Sequence, residues 1–160
     1  MIYLEKKQFQ EVIKHCQKEY PKEACGILAG RYAGESRVPE QSEGNSGLVR
    51  KVYKMKNTSE NPQTCYFMEP KEQLKVFKEM RGLGIEMLGI YHSHSGTSAY
   101  PSQRDCEMAF YPEVSYVIIS LQDFNNPDVR AFRIIEGKIA EEKIVVGKEE
   151  DNGTETRNRC

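Results

Sequence analysis

The chain alternates between segments with a helical hydrophobic pattern and short apolar runs, and this alternation limits the folds open to it. Near the N-terminus, four apolar side chains recur at the i, i+3, i+4, i+7 spacing of an amphipathic helix: Phe9, Val12, Ile13 and Cys16. We expect that helix to end before Pro21. The run ACGILAGRY then predicts a buried strand from about Ala24 to Arg31. Helices and strands in alternation indicate an α/β domain.

The rest of the chain continues the pattern. LVRKVYKMKN predicts a strand, and Pro70 stands at a favourable first position for a second helix that we expect to end at Gly82 and Gly84. The apolar residues of this helix are Leu74, Phe77, Met80 and Leu83. EMLGIYHSH predicts a central strand, SYVIISLQ predicts another, and VRAFRIIEGKIAEEKIVV predicts a hairpin that turns at Glu136 and Gly137.

Two polar stretches lack any such periodicity. AGESRVPEQSEGNSG predicts a mobile loop, and GKEEDNGTETRNRC predicts a disordered tail. We therefore predict one domain over residues 1–146 and a disordered tail over residues 147–160. A chain of 160 residues with 38% hydrophobic residues is large enough to bury a single core.

Charge and cysteine content narrow the functional classes. A net charge of -1 gives no long-range attraction to nucleic acid or to an anionic membrane, so we expect neither as a partner. The N-terminus lacks the apolar core of a signal peptide and no stretch is long enough to span a bilayer, so we expect a cytoplasmic protein. The five cysteines are widely spaced without a C-x-x-C pair, which predicts reduced thiols.

The stretch YHSHSGTSAYPSQRD contains the candidate metal ligands of the chain. Side chains alternate along a strand, so His92 and His94 point to the same side. PSQRD begins a short helix whose first turn, which carries Asp105, can lie over the end of that strand. Two histidines and a carboxylate can hold zinc and leave a fourth position open, as catalytic zinc sites do.

Each half of this pattern also has an ordinary structural explanation. SQRD fits a capping box in which Ser102 and Asp105 satisfy the first N–H groups of a helix. A His-x-His pair at a strand end is more often a hydrogen-bonded pair than a ligand set, and a glutamate such as Glu23 after YPK is usually a solvated surface residue. A thiol nucleophile, Cys25 or Cys106, would need a histidine base, which the sequence does not supply clearly.

Taken together, these residues resemble the JAMM (MPN+) zinc metalloproteases, which cleave ubiquitin and ubiquitin-like conjugates. His92, His94, Ser102 and Asp105 match the signature H-[ST]-H-x7-S-x2-D, and Glu23 in YPKEACGILAG stands where the family has its upstream glutamate. The resemblance extends from about Glu11 to Val146, and includes NTSENPQTCYFMEP, which is similar to the compact bacterial members. One departure is Ser95, where many relatives have proline, so the stiffness of this loop is in question.

The resemblance implies a fold and a set of roles. It implies a single MPN domain with a mixed, curved sheet flanked by helices, in a three-layer arrangement like that of cytidine deaminase. It implies one zinc ion per chain on His92, His94 and Asp105, with Glu23 as the general acid and base for a metal-activated water and Ser102 as the donor to the oxyanion.

The resemblance also implies a substrate. Family members act at the Gly-Gly tails of ubiquitin-like proteins, and compact bacterial relatives are associated with sulfur-carrier proteins of that fold. We expect hydrolysis after such a tail, with the oligomeric state left open. Two alternatives are a non-catalytic MPN scaffold, for which lost ligands would be the sign, and a nucleobase deaminase, whose P-C-x-x-C motif is absent from the sequence.

Overall fold

The computed structural model describes residues 1–33 and 46–147. Most of the predicted mobile loop and nearly all of the predicted tail lie outside these residues. The described chain forms eight strands and three helices in the following order: β1 Ile2–Leu4, α1 Lys6–Glu19, β2 Cys25–Tyr32, β3 Gly47–Met55, α2 Pro70–Leu83, β4 Glu86–His94, α3 Gln103–Glu107, β5 Ser115–Ser120, β6 Asp128–Ile135, β7 Lys138–Glu142 and β8 Ile144–Val146.

The predicted helices and strands are present, with corrections at α2 and in the predicted hairpin. The second arm of that hairpin divides into β7 and β8, and β8 pairs with β1 instead of β6. Pro70 begins the helix, but Gly82 lies inside it and only Gly84, in the left-handed conformation at φ 63°, ends it. The buried side of α2 is formed by Val76 and Met80. The predicted apolar residue Leu74 is 56% exposed, because it projects away from the side that packs on the sheet.

All eight strands form one mixed sheet with the order β7-β6-β5-β4-β2-β3-β1-β8. β4 pairs antiparallel with β2 and parallel with β5. The two strands at the ends of this order, β7 and β8, are separated along the chain by Lys143 alone. The ends of the sheet must therefore lie close together, and the predicted curved sheet is confirmed as a nearly closed one.

Helices cover both faces of the sheet, which confirms the three-layer arrangement. One hydrophobic cluster contains Val12 and Cys16 of α1, and the other contains Val76 and Met80 of α2. Alternation along β4 directs Tyr91 into the α1 side and Ile90 into the α2 side. The histidines that follow at the end of β4 therefore belong to the α2 side.

The hairpin between β6 and β7 turns where the sequence predicts. Glu136 and Gly137 both have positive φ values, 50° and 75°, as a two-residue turn of this kind requires. Within residues 1–33 and 46–147, none of the helices has the length and apolar character needed to cross a bilayer.

Candidate metal centre

Three potential ligands converge at the end of β4. The Nε2 atoms of His92 and His94 are 3.0 Å apart. Asp105, on the first turn of α3, places Oδ1 3.2 Å from the Nε2 atom of His92 and Oδ2 3.2 Å from that of His94. The structure thus brings together the two histidines and the acid that the sequence pattern singles out.

The spacing of these donor atoms fits a tetrahedral metal ion. Zinc bonds of about 2.0–2.1 Å in a tetrahedral arrangement put two ligand atoms about 3.3 Å apart. The observed separations of 3.0 and 3.2 Å are close to that length. Two imidazoles and one carboxylate leave a fourth position for water or substrate, which is the donor set of a catalytic zinc site.

His94 is held in the tautomer that a metal ligand needs. Its Nδ1–H group donates a hydrogen bond of 2.8 Å to the carbonyl oxygen of Ser98. That bond fixes the ring and leaves the Nε2 lone pair directed at the cluster. Burial alone would lower the pKa of His94, but the hydrogen bonds to Asp105 and to the Ser98 carbonyl raise it.

His92 is oriented in a different way. Its ring stacks on Tyr66, with ring centres 4.6 Å apart and planes 27° apart. Its Nδ1 atom is buried and finds no hydrogen-bond partner within the described part of the chain. Burial lowers the pKa of His92, which favours the neutral imidazole that binds metals.

Asp105 is fixed by the capping box that the sequence predicts. The Asp105 N–H donates to the Ser102 hydroxyl oxygen at 3.1 Å, and the Ser102 N–H donates to Asp105 Oδ2 at 2.8 Å. Burial would raise the pKa of Asp105, but hydrogen bonds from His92 and His94 hold it well below its usual range. The Ser102 hydroxyl is exposed and accepts in the cap, so its proton is free to be donated elsewhere.

Glu23 lies between α1 and β2 and is only 5% exposed. The interpretation of Glu23 as a solvated surface residue is therefore wrong. Burial raises the pKa of its carboxyl to about 8, with His94 acting against this shift and Asp105 adding to it. Glu23 is not among the three donors that cluster within 4.8 Å of one another, yet it is close enough to be coupled to them electrostatically.

The segment from Thr58 to Phe67 borders the site and contains residues for which no sequence pattern predicts a role. Tyr66 stacks on His92, and Asn57, immediately before the segment, donates to the carbonyl oxygen of Glu23 at 2.9 Å. Ser95, at the position where many relatives have proline, donates through its hydroxyl to the Gln63 carbonyl at 3.2 Å. This hydrogen bond connects the loop after β4 to the bordering segment.

The cysteines within residues 1–33 and 46–147 do not form a competing site. Cys25 is fully buried, and burial raises the pKa of its thiol to about 12, so little thiolate forms at neutral pH. His15, on α1, is buried and shares a hydrogen bond of 2.7 Å with the Tyr91 hydroxyl, so it is not available as a base for a thiol. His15 follows Val12 by three residues, so it shares the buried face of the helix.

Comparisons with known proteins identify relatives over most of the chain. Residues 5–135 match the family described as prokaryotic homologs of the JAB domain. A CysO-cysteine peptidase of Mycobacterium tuberculosis is 35% identical over 135 residues, which are 84% of this chain and 84% of that protein. A probable TtuB-protein conjugate cleaving protease of Thermus thermophilus is 33% identical over 138 residues, which are 86% of this chain and 79% of that protein.

Solved structures of similar fold point to the same family as the sequence relatives. A protein of Desulfitobacterium hafniense, determined in solution, superimposes with a TM-score of 0.79 at 38% identity and covers 96% of this chain and 97% of its own. A JAB1/MPN domain protein of Archaeoglobus fulgidus has the same fold with a TM-score of 0.54 at 13% identity, covering 91% of this chain and 95% of its own. The chain is a single JAB/MPN domain and belongs to the prokaryotic JAB family.

Proposed function

We propose that this protein is a zinc-dependent peptidase or isopeptidase that hydrolyses the bond after the C-terminal Gly-Gly tail of a ubiquitin-like sulfur-carrier protein. The observation that carries the proposal is the convergence of His92, His94 and Asp105 at one point, with the buried Glu23 beside them. The names of two relatives, a peptidase and a conjugate-cleaving protease, support hydrolysis as the reaction class.

His92, His94 and Asp105 would hold the metal. Metal binding would require both imidazoles to be neutral, and they and the ionised carboxylate would then supply two nitrogen donors and one oxygen donor, the mixture that zinc accepts. Zinc, when bound, would lower the pKa of a coordinated water and polarise the scissile carbonyl. Ser98 and Tyr66 hold the two rings in the orientation that this binding needs.

Glu23 would move the proton. A carboxylate with a pKa raised to about 8 by burial can accept a proton near neutral pH and return it to a leaving amine. Ser102 would donate its free hydroxyl proton to the oxygen that gains negative charge as the carbonyl is attacked. The cap on α3 fixes the Ser102 oxygen without using that proton.

The position of the site supports the proposed substrate. The cluster lies at a strand end beside two loops, which suits an extended, flexible tail more than a folded segment. Glycine residues, which have no side chain, make the smallest steric demand on such a site. The relatives named for CysO-cysteine and for TtuB-protein conjugates support a small carrier protein as the substrate.

Cleavage of fusion proteins tests the proposal. The zinc-loaded protein is incubated with sulfur-carrier proteins that extend beyond Gly-Gly by an amino acid, by a peptide or by an isopeptide-linked protein, and intact mass locates the cut. We expect cleavage directly after Gly-Gly, loss of cleavage with chelator, and weak activity on ubiquitin chains. If the protein leaves every fusion uncut while it cleaves unrelated peptides, the substrate assignment is wrong and only the peptidase assignment survives.

Substitution of Glu23 separates chemistry from metal binding. Glu23→Gln retains a side chain of the same shape that cannot accept the proton, so we expect kcat to fall by about 10² to 10⁴. Zinc content and melting temperature should stay close to those of the wild type, because Glu23 is outside the three-donor cluster. Turnover near the wild-type value would show that another group transfers the proton.

A further inference from the structure

Glu23 lies outside every helix and strand, so regular structure does not fix its position. The N–H and the C=O group of Glu23 nevertheless each form a hydrogen bond. The Glu23 N–H donates to the Pro62 carbonyl at 2.6 Å, and the Glu23 carbonyl accepts from Asn57 Nδ2 at 2.9 Å. Among the described residues, no hydrogen bond reaches the Glu23 carboxylate, so the carboxylate depends on these backbone bonds and on the packing around its buried side chain for its position.

Asn57 uses both ends of its amide. Besides the Glu23 carbonyl, Nδ2 donates to the Cys65 carbonyl at 3.0 Å. Oδ1 accepts from the N–H groups of Ser59 at 3.0 Å and Phe67 at 3.1 Å. Asn57 therefore joins Glu23 to both ends of the segment that carries Tyr66, which stacks on His92.

Ser93 holds the residue after Glu23. The Ala24 N–H donates to the Ser93 hydroxyl oxygen at 2.8 Å, and the Ser93 N–H donates to the Ala24 carbonyl at 3.0 Å. Ser93 stands between the two histidines of β4, and its buried side chain points to the opposite side of the sheet. The residue that spaces the histidine pair thus also fixes the chain beside Glu23.

We propose that Asn57 and Ser93 are positioning residues that set the distance between the Glu23 carboxylate and the cluster of His92, His94 and Asp105. This inference rests on the proposed function, because it depends on Glu23 transferring the proton. A general base must be within hydrogen-bond reach of its proton, and a displacement of about 1 Å costs about 10²-fold in rate.

Substitution of Asn57 tests the first of the two positioning residues. Asn57→Asp keeps an acceptor for Ser59 and Phe67 but loses the donor to Glu23. We expect kcat to fall by about 10- to 100-fold while KM and zinc affinity stay within about twofold of wild type. Asn57→Ala, which adds no charge, should give a loss of the same order. Asn126→Asp makes the same chemical change on an exposed turn and serves as the control.

A double-mutant cycle shows whether Asn57 acts through Glu23. In the Glu23→Gln background, Asn57→Asp should lower kcat no further, because the group that it positions is already inactive. A full additional loss in that background would overturn the proposal, since Asn57 would then act independently of Glu23. A variant with lower zinc affinity but an unchanged kcat would overturn the proposal as well.

Ser93 is tested by a pair of variants. Ser93→Ala leaves the Ala24 N–H without its acceptor, so kcat should fall by about tenfold or more, whereas Ser93→Thr keeps the hydroxyl and should restore most of the rate. Equal rates in the Ala and Thr variants would contradict a role for the hydroxyl.

Amide hydrogen exchange in the metal-free protein tests the same inference by a measurement that does not depend on enzyme activity. The Glu23 amide in Asn57→Asp and the Ala24 amide in Ser93→Ala should exchange at least about tenfold faster than in the wild type, while amides within β2 stay protected. If the wild type cuts no Gly-Gly fusion but these amides respond as expected, the proposed function fails and the positioning contacts stand. Unchanged exchange at both amides would refute the positioning role itself.

Discussion

Gly26 is a position where the structure predicts a large effect of a single added methyl group. Gly26 lies opposite Tyr91 in the pairing of β2 with β4. A Cβ atom at Gly26 would lie well inside 3.0 Å of the Tyr91 ring and of the Tyr53 carbonyl oxygen. The carbonyl belongs to the backbone of β3, and the Tyr91 ring is fully buried and tied to His15. Neither neighbour can move without disturbing the sheet.

The expected loss of stability follows from two opposing effects. Overpacking a tight core costs about 1–3 kcal/mol and sometimes more, and the two rigid neighbours put Gly26→Ala at the upper end of that range. Reduced entropy of the unfolded chain returns about 0.4–1 kcal/mol, which is too small to compensate. We expect a net loss of about 2–3 kcal/mol, or a melting temperature lower by about 4–12 °C.

Thermal unfolding followed by circular dichroism measures this effect, with Gly82→Ala as the matched control. Gly82 lies in the last turn of α2, and a Cβ atom there would meet nothing within 4 Å. The same substitution should therefore leave the melting temperature of that variant unchanged or raise it slightly. If Gly26→Ala melts at or above the wild-type temperature, the close contact between Tyr91 and the β2 backbone is not as described, and the position of the neighbouring His92 comes into question.

Two further predictions concern Ser102 and the buried thiols. Ser102→Ala should lower kcat by about 10², because the donor to the oxyanion is lost, and should lower the free energy of unfolding by about 1 kcal/mol, because the α3 cap is lost. A lower melting temperature with an unchanged kcat would show that the serine has only a structural role. Cys16 and Cys25, whose thiol pKa values burial raises to about 12, should resist alkylation of the native protein at pH 8. Peptide mass mapping measures this, and rapid modification of either residue would contradict the buried positions.

The sequence predicted the parts of the fold that local patterns specify. The helix around Val12, the strand that carries the histidines and the turn at Glu136 and Gly137 all follow from periodicity or turn chemistry. The strands β1 and β8 were not predicted individually, because three residues are too few to show a period of two. Leu74 is exposed although the pattern predicts it on the apolar side, because a helical pattern does not show which neighbours will cover each side.

The candidate site also contains a part that the sequence predicts and a part that it does not. The convergence of His92, His94 and Asp105 could be predicted from fixed spacings and from the family resemblance. The contacts of Tyr66 with His92 and of Asn57 with Glu23 join residues more than 25 positions apart, so no local pattern indicates them. A pattern of single residues also could not show that Glu23 is buried, because its burial depends on the segment that folds over it.

Zinc content of the purified protein tests the central claim most directly. After dialysis against metal-free buffer, elemental analysis should find one zinc ion per chain in the wild type. It should find far less in Asp105→Ala, which lacks the single carboxylate among the three donors. Equal zinc content in the two proteins, or none in the wild type, would contradict the assignment of His92, His94 and Asp105 as a zinc centre.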